Sequence, residues 1–325
     1  MTKKYNMFKF IIFTIILIPA FILCSCKQNV SIPDNESDIS ILCTGFSQYD
    51  WTKNITNTVD TVNVEILQKH GIDIHNYQPS ADDIIRISNC SIIICTGGEA
   101  DKPIFDILDS LGDKKPIVIN MMGELEQQLI NVAENDSSHQ HTEHDLSYYD
   151  EHIWLSIKNA GKLCKIISDK IASIDPDNIN IYKSNTDAYL SRLSDIDKKY
   201  EYMVNNSARR EIVFADRYPF AYLARDYEIV CYCAFPGCSA ETDASFETIL
   251  SLASKIDELN LTTVMTLDNG ISNIAKAVIS NSKTKDIKTL SLNSLQSVSY
   301  DEIAAGLSYL SAMEDNFKII KESLN

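Results

Sequence analysis

At 325 residues the chain is long enough for two domains of ordinary size, each with its own core. Hydrophobic residues at 45% and charged residues at 23% exclude wholesale disorder. A formal net charge of −16 argues against nucleic acid as a partner, because phosphate binding needs clustered Lys and Arg.

Lys3, Lys4 and Lys9 precede the apolar run Phe10–Leu23, the charged-then-apolar layout of a secretory signal. The run is roughly 14 residues, short of the ~20 that span a membrane. It ends in Leu23-Cys-Ser-Cys26, which resembles the bacterial lipobox. This predicts a signal peptide over 1–25 and Cys26 as the lipidated first residue, with Cys24 as second choice. The polar stretch 26–38 then serves as a tether from the lipid. An uncleaved anchor helix is the alternative; both readings put the remainder outside the cytoplasmic membrane of a bacterium.

From Ile39 onward strand-like and helix-like segments alternate. Ile39–Cys43 reads as a strand, Asp50–Lys69 as a helix, and Ser80 as the cap of a helix through Ile84 and Ile87. Ser91–Thr96 is an apolar strand ending at Gly97-Gly98, followed by a helix over Pro103–Leu111 and a strand over Pro116–Asn120. Apolar runs between helices predict a parallel sheet covered on both faces. The pattern returns after residue 207, with strands over Glu211–Ala215, Ile229–Ala234, Thr262–Thr266 and Ile287–Leu290 and a last helix from Tyr300 to Ser323. Between the halves, Tyr189, Leu193, Ile196, Tyr200 and Met203 recur at helical spacing over Asn185–Asn206 with no Gly or Pro. At 1.5 Å per residue this helix spans roughly 30 Å. The expected fold is α/β: two lobes, each with a mostly parallel sheet flanked by helices, joined by one long rigid helix. The boundaries are an N-terminal lobe over 39–183, a linking helix over 184–206 and a C-terminal lobe over 207–325.

All six histidines lie between His70 and His152. His139, His141 and His144 sit in the polar segment 134–148, which has no apolar periodicity and reads as a loop able to collect metal at low affinity. Neutral imidazole is the commonest biological ligand of zinc and similar ions. Cys43, Cys90 and Cys95 read as small core residues; Cys231-x-Cys-x4-Cys238 fits no standard zinc knuckle and reads as packing or a disulfide.

His75 stands before Asn-Tyr-Gln-Pro-Ser80 and a helix, and His152 stands in Asp150-Glu-His152-Ile-Trp-Leu-Ser156. These resemble, in order, the two metal-ligand motifs of the zinc and manganese substrate-binding proteins of ABC transporters. The similarity runs over nearly all of the mature chain and ends at Gly306-Leu-Ser-Tyr-Leu-Ser-Ala-Met-Glu314. The resemblance implies a lipid-anchored, monomeric receptor that binds Zn2+ through His75 and His152 and delivers it to an ABC permease and its ATPase. Where zinc-binding relatives place a third His, this chain has Asp216-Arg217. Arg stays protonated and donates no lone pair, so Asp216 is the candidate ligand, with an Asp216–Arg217 ion pair as the equal alternative. The relatives' carboxylate ligand matches Asp268. Glu241 and Arg217 are expected to support the ligands from outside, although Glu241 reads first as a helix cap. Two nitrogens with more oxygen shift preference toward Mn2+ or Fe2+; the His-rich loop favours Zn2+, which stays the first expectation. A secreted metallohydrolase with Glu241 as base, or a metal-sequestering adhesin, is the competing class.

Overall fold

Strands form where β-branched and apolar residues run without interruption, and helices where the apolar period lengthens. The computed structural model describes residues 39–68, 71–131, 149–236, 244–268, 270 and 272–325. The expected signal peptide, Cys26 and the tether lie outside these residues. So do His70, His139, His141, His144, Cys238 and Glu241.

In the first lobe β1 (Ile39–Cys43), β2 (Val62–Ile66), β3 (Ile92–Cys95) and β4 (Ile117–Asn120) form a parallel sheet in the order β2-β1-β3-β4. The register sets Ile41 against Val64 on one side and Ile92 on the other. Side chains alternate across the sheet, as the strand period requires. Ile41, Cys43, Ile92 and Ile94 pack on the face carrying α1 (Phe46–Ile55). Leu42, Ile93 and Cys95 pack on the face carrying α2 (Ala81–Asn89) and α3 (Lys102–Ser110). Cys43, Cys90 and Cys95 are buried free thiols.

The second lobe repeats the plan. Its β5 (Glu211–Tyr218), β6 (Val230–Pro236), β7 (Thr263–Leu267) and β8 (Lys288–Leu292) are parallel in the order β6-β5-β7-β8. Flanking helices are α6 (Ala221–Tyr227), α7 (Phe246–Leu259) and α8 (Asn273–Asn281). In each sheet the order reverses beside the first strand, at β1/β3 and at β5/β7. Such reversals open crevices at the carboxyl ends of the strands, where open α/β sheets bind ligands.

After α4 (Ile157–Ile174), the long helix α5 runs over Ile179–Asn205 and joins the lobes. It begins earlier than its apolar spacing suggests, because a single 3-10 turn at Pro176–Asn178 feeds directly into it. Its first half bonds the N-terminal lobe through Asn185 Nδ2 to the Ile55 carbonyl (3.0 Å) and Tyr189 to Asp50 (3.1 Å). Its second half bonds the C-terminal segment through Tyr200 to the Met313 carbonyl at 2.8 Å. Apolar side chains of both lobes and of α5 join in one buried cluster.

Two expectations need correction. Asp50–Lys69 is not one helix: α1 ends at Ile55, and Val62, Val64 and Ile66 alternate at period two in the edge strand β2. Thr58 at φ 70° turns the chain between them. The last helix is likewise two, α9 (Tyr300–Ala304) and α10 (Tyr309–Ser323). Gly306 at φ 97° breaks it, in a conformation open to glycine, and Ser308 then caps α10. Among the described residues no helix is long and apolar enough to cross a membrane.

Candidate metal centre

His75 lies in a short 3-10 turn (Ile74–Asn76) after β2, shaped by Asp73, whose carboxylate accepts from the His75 backbone N–H at 3.0 Å. Downstream, Ser80 caps α2 and Asp83 answers with a reciprocal bond to the Ser80 N–H. His152 precedes a second 3-10 turn (Ile153–Leu155) and is buried. Its backbone N–H and its Nδ1 both donate to Asp150 Oδ1, each at 2.8 Å. Tyr222 from the C-terminal lobe donates to the Asp150 carbonyl at 2.6 Å and keeps this segment in place.

Though 77 residues apart, the two imidazoles meet, with Nε2 atoms 3.3 Å from each other. On the far side of His75, Nδ1 contacts Glu151 Oε1 at 3.2 Å. Both Nδ1 atoms therefore face carboxylates, which only accept, so each Nδ1 carries the hydrogen and each Nε2 presents a lone pair. Burial alone would raise the Glu151 carboxyl. Its hydrogen bonds from His75 and the Ala100 N–H outweigh burial and hold it below the ordinary range. Gly98 makes room for this carboxylate, since a Cβ there would stand 2.2 Å from Glu151 Oε2.

The third group at the imidazoles is Gln296, in the loop after β8. Its Nε2 lies 2.8 Å from the Nε2 of both His75 and His152. That loop is tied to both histidine segments. The Ile74 N–H donates to the Gln296 carbonyl at 3.2 Å, and Trp154 Nε1 donates to the Ser294 carbonyl at 2.9 Å. Among the described residues, no group of three or more His, Cys, Asp and Glu side chains converges as a metal cluster.

Asp268 turns after β7 at φ 48° and accepts from the Ser294 N–H (2.8 Å) and hydroxyl (2.6 Å), one at each oxygen. It anchors the loop that carries Gln296. Asp216 accepts from the Arg217 backbone N–H at 2.9 Å. The Arg217 guanidinium crosses instead to Asp73, at 3.5 Å, so its partner is the residue that shapes the His75 turn. Sequence reasoning passed over Gln296, Asp150 and Glu151. The acidic pair directly before His152 was a readable signal.

Asp101 lies behind Gly97 and accepts from its N–H at 3.0 Å and from the Thr44 hydroxyl at 3.3 Å. Burial pushes its carboxyl up to about 6, against the Gly97 hydrogen bond and with the Glu151 charge adding to the rise. The folded state thus keeps a proton that the unfolded chain releases near pH 4, and Asp101 subtracts stability as pH rises from about 4 to about 6. Asp101→Asn is expected to match wild type near pH 4 and to gain about 1–3 kcal/mol at pH 7.5. Urea unfolding of the ion-free protein at both pH values measures this, and a pH-independent difference would contradict it.

Residues 41–323 match the family model described as ZnuA, zinc-uptake complex component A, periplasmic. The chain belongs to the ZnuA family. The zinc-binding lipoprotein AdcA of Streptococcus pneumoniae is 27% identical over 305 residues, covering 94% of this chain and 59% of AdcA. The high-affinity zinc uptake system protein ZnuA of Bacillus subtilis is 26% identical over 304 residues, covering 93% and 92%. The crystal structure of Zn(II)-bound AdcA from Streptococcus pneumoniae superimposes with a TM-score of 0.70 at 26% identity, covering 88% of this chain and 57% of that one. This chain therefore spans about three-fifths of AdcA and nearly all of the Bacillus protein.

Proposed function

We propose that this protein is the extracytoplasmic, lipid-anchored receptor of an ABC uptake system, which captures Zn2+ and hands it to a membrane permease driven by its ATPase. The observation that carries this reading is the imidazole pair: two Nε2 lone pairs 3.3 Å apart, each backed by a carboxylate on Nδ1. Zinc bound at about 2.0–2.1 Å to two nitrogens in a tetrahedral shell separates them by roughly 3.3 Å, so the pair has the spacing of one edge of that shell. Membership of the ZnuA family supports zinc as cargo.

Binding begins at His75 and His152, and contacts from the C-terminal lobe complete it. Because loop Ser294–Gln296 already bonds Ile74 and Trp154, closure is a local rearrangement rather than a wide hinge. The ion shifts the open and closed populations only by binding the closed form more tightly. Cys26 supplies the lipid, the 134–148 histidines collect ions, and the receptor works as a monomer.

A metallohydrolase is less well supported. Glu151, the carboxylate beside the pair, is committed to His75 Nδ1 and the Ala100 N–H behind the imidazole, away from where a bound water would be activated. One feature favours Mn2+ as a second reading: the amide of Gln296 offers a hard oxygen where a third imidazole would favour zinc.

Elemental analysis of protein purified without chelators, followed by Zn2+/Mn2+ competition, tests the proposal. One zinc per chain and preference for zinc are expected. A manganese preference would replace zinc by manganese as cargo, and binding that persists unchanged in a His75→Ala/His152→Ala variant would refute the site.

A further inference from the structure

Gln296 stands in a peculiar relation to the imidazole pair. Two neutral histidines whose lone pairs converge at 3.3 Å repel each other unless something positive lies between them or beside both. The NH2 of Gln296, 2.8 Å from each Nε2, donates one hydrogen to each ring. It satisfies both lone pairs at once, as a bound cation would.

The backbone beneath this side chain is held from several directions. The Gln296 carbonyl accepts from Ile74 N–H (3.2 Å), and its N–H donates to Ser294 Oγ (3.2 Å). Ser294 in turn is held by Asp268 and by the Trp154 indole. The Cα of Gln296 is thus held beside the pair, and its terminal amide is joined through a broad sp3–sp2 torsion.

We propose that Gln296 is a reversible stand-in for the ion: its NH2 bridges His75 and His152 in the ion-free protein, and the entering cation displaces it, the amide turning so that Oε1 faces the metal as a neutral third donor. This rests on the reading of His75 and His152 as cargo ligands. The residue type matters because a glutamate at the same place would reverse both halves of the exchange. Its carboxylate would repel the two lone pairs in the ion-free form and supply an anionic ligand in the loaded form. Glutamine stabilises the ion-free site and gives the loaded site one negative charge less. Both effects weaken retention, which suits a carrier that must release its cargo. The fraction of molecules with the amide turned away also scales the apparent affinity.

Two measurements on the mature protein test this with Zn2+ alone as the probe. The first is 15N-1H NMR of the side-chain amides, with the Gln296 pair assigned by its absence from Gln296→Glu. In ion-free wild type both NH2 hydrogens should be protected from exchange, and stoichiometric Zn2+ should shift the pair and remove the protection. The second is calorimetric zinc affinity, which should rise about tenfold or more in Gln296→Glu, as for replacement of a neutral by a charged oxygen donor. If wild type binds zinc through His75 and His152 but the Gln296 amide pair is unmoved, or Gln296→Glu binds no more tightly, the stand-in role is wrong and the receptor reading survives. If wild type binds no zinc, or binds it equally without the two histidines, the receptor reading itself fails. If Gln296→Glu misfolds, the pair is assigned by through-bond correlation to the Gln296 backbone in wild type, and the NMR arm alone remains decisive.

Discussion

Replacing His152 by alanine is expected to abolish stoichiometric zinc retention with little change in fold. His152 is the better enclosed of the pair, its side chain 3% exposed against 17% for His75, so water cannot readily take its place as a ligand. Its backbone N–H still has Asp150 as acceptor after truncation, and Tyr222 still holds the Asp150 carbonyl, so the turn keeps its shape. Removing groups behind a metal ligand costs about 10–100-fold in affinity, and removing the ligand itself should exceed that range. His75→Ala should weaken binding less, because its side is open to solvent. Isothermal titration with Zn2+ on ion-free protein reads the effect. An affinity for His152→Ala within threefold of wild type would exclude this residue as a ligand.

Asp150 should carry the next largest effect, without touching the ion. Its side chain is 1% exposed and takes two hydrogen bonds from the same residue, His152. The carboxylate fixes which ring nitrogen is bare and raises its basicity. Asp150→Asn keeps the shape but loses the charge, and zinc affinity is expected to fall about 10–100-fold with nearly unchanged unfolding. Asp150→Ala also strands two buried N–H donors, so about 1–3 kcal/mol of stability should be lost in addition. Comparing titration and urea unfolding across the two variants separates the contributions. Equal affinity in wild type and Asp150→Asn would mean that the carboxylate only props the loop.

How far the sequence was readable depended on the range of the interaction. The strands β1, β3, β4 and β5 to β8 follow from short runs rich in apolar and β-branched residues between helices, whether buried throughout, as β3 and β7 are, or lying at a sheet edge, as β8 does. The β2 segment was missed because Asp50–Lys69 mixes a helical period with a strand period and the change falls at Thr58, an unusual left-handed turn for that residue type. The Ser80 cap and the break at Gly306 are local chemistry, one legible in advance and the other only once the backbone is seen.

For the site, sequence by itself determined the class of chemistry. The alternation of strands and helices already implies two α/β lobes, and two histidines in ordered motifs carry the resemblance to metal receptors. Tertiary structure alone decided which side chains meet. Gln296 reaches His152 across 144 positions and His75 across 221, and Arg217 reaches Asp73 across 144. Asp268, which the resemblance matches to the relatives' carboxylate ligand, accepts one hydrogen bond at each oxygen from Ser294. Local patterns record the period of burial, which each residue feels through its neighbours in the chain. The occupant of the third place at the imidazoles depends on where a loop is held, and that loop is held by residues from both lobes.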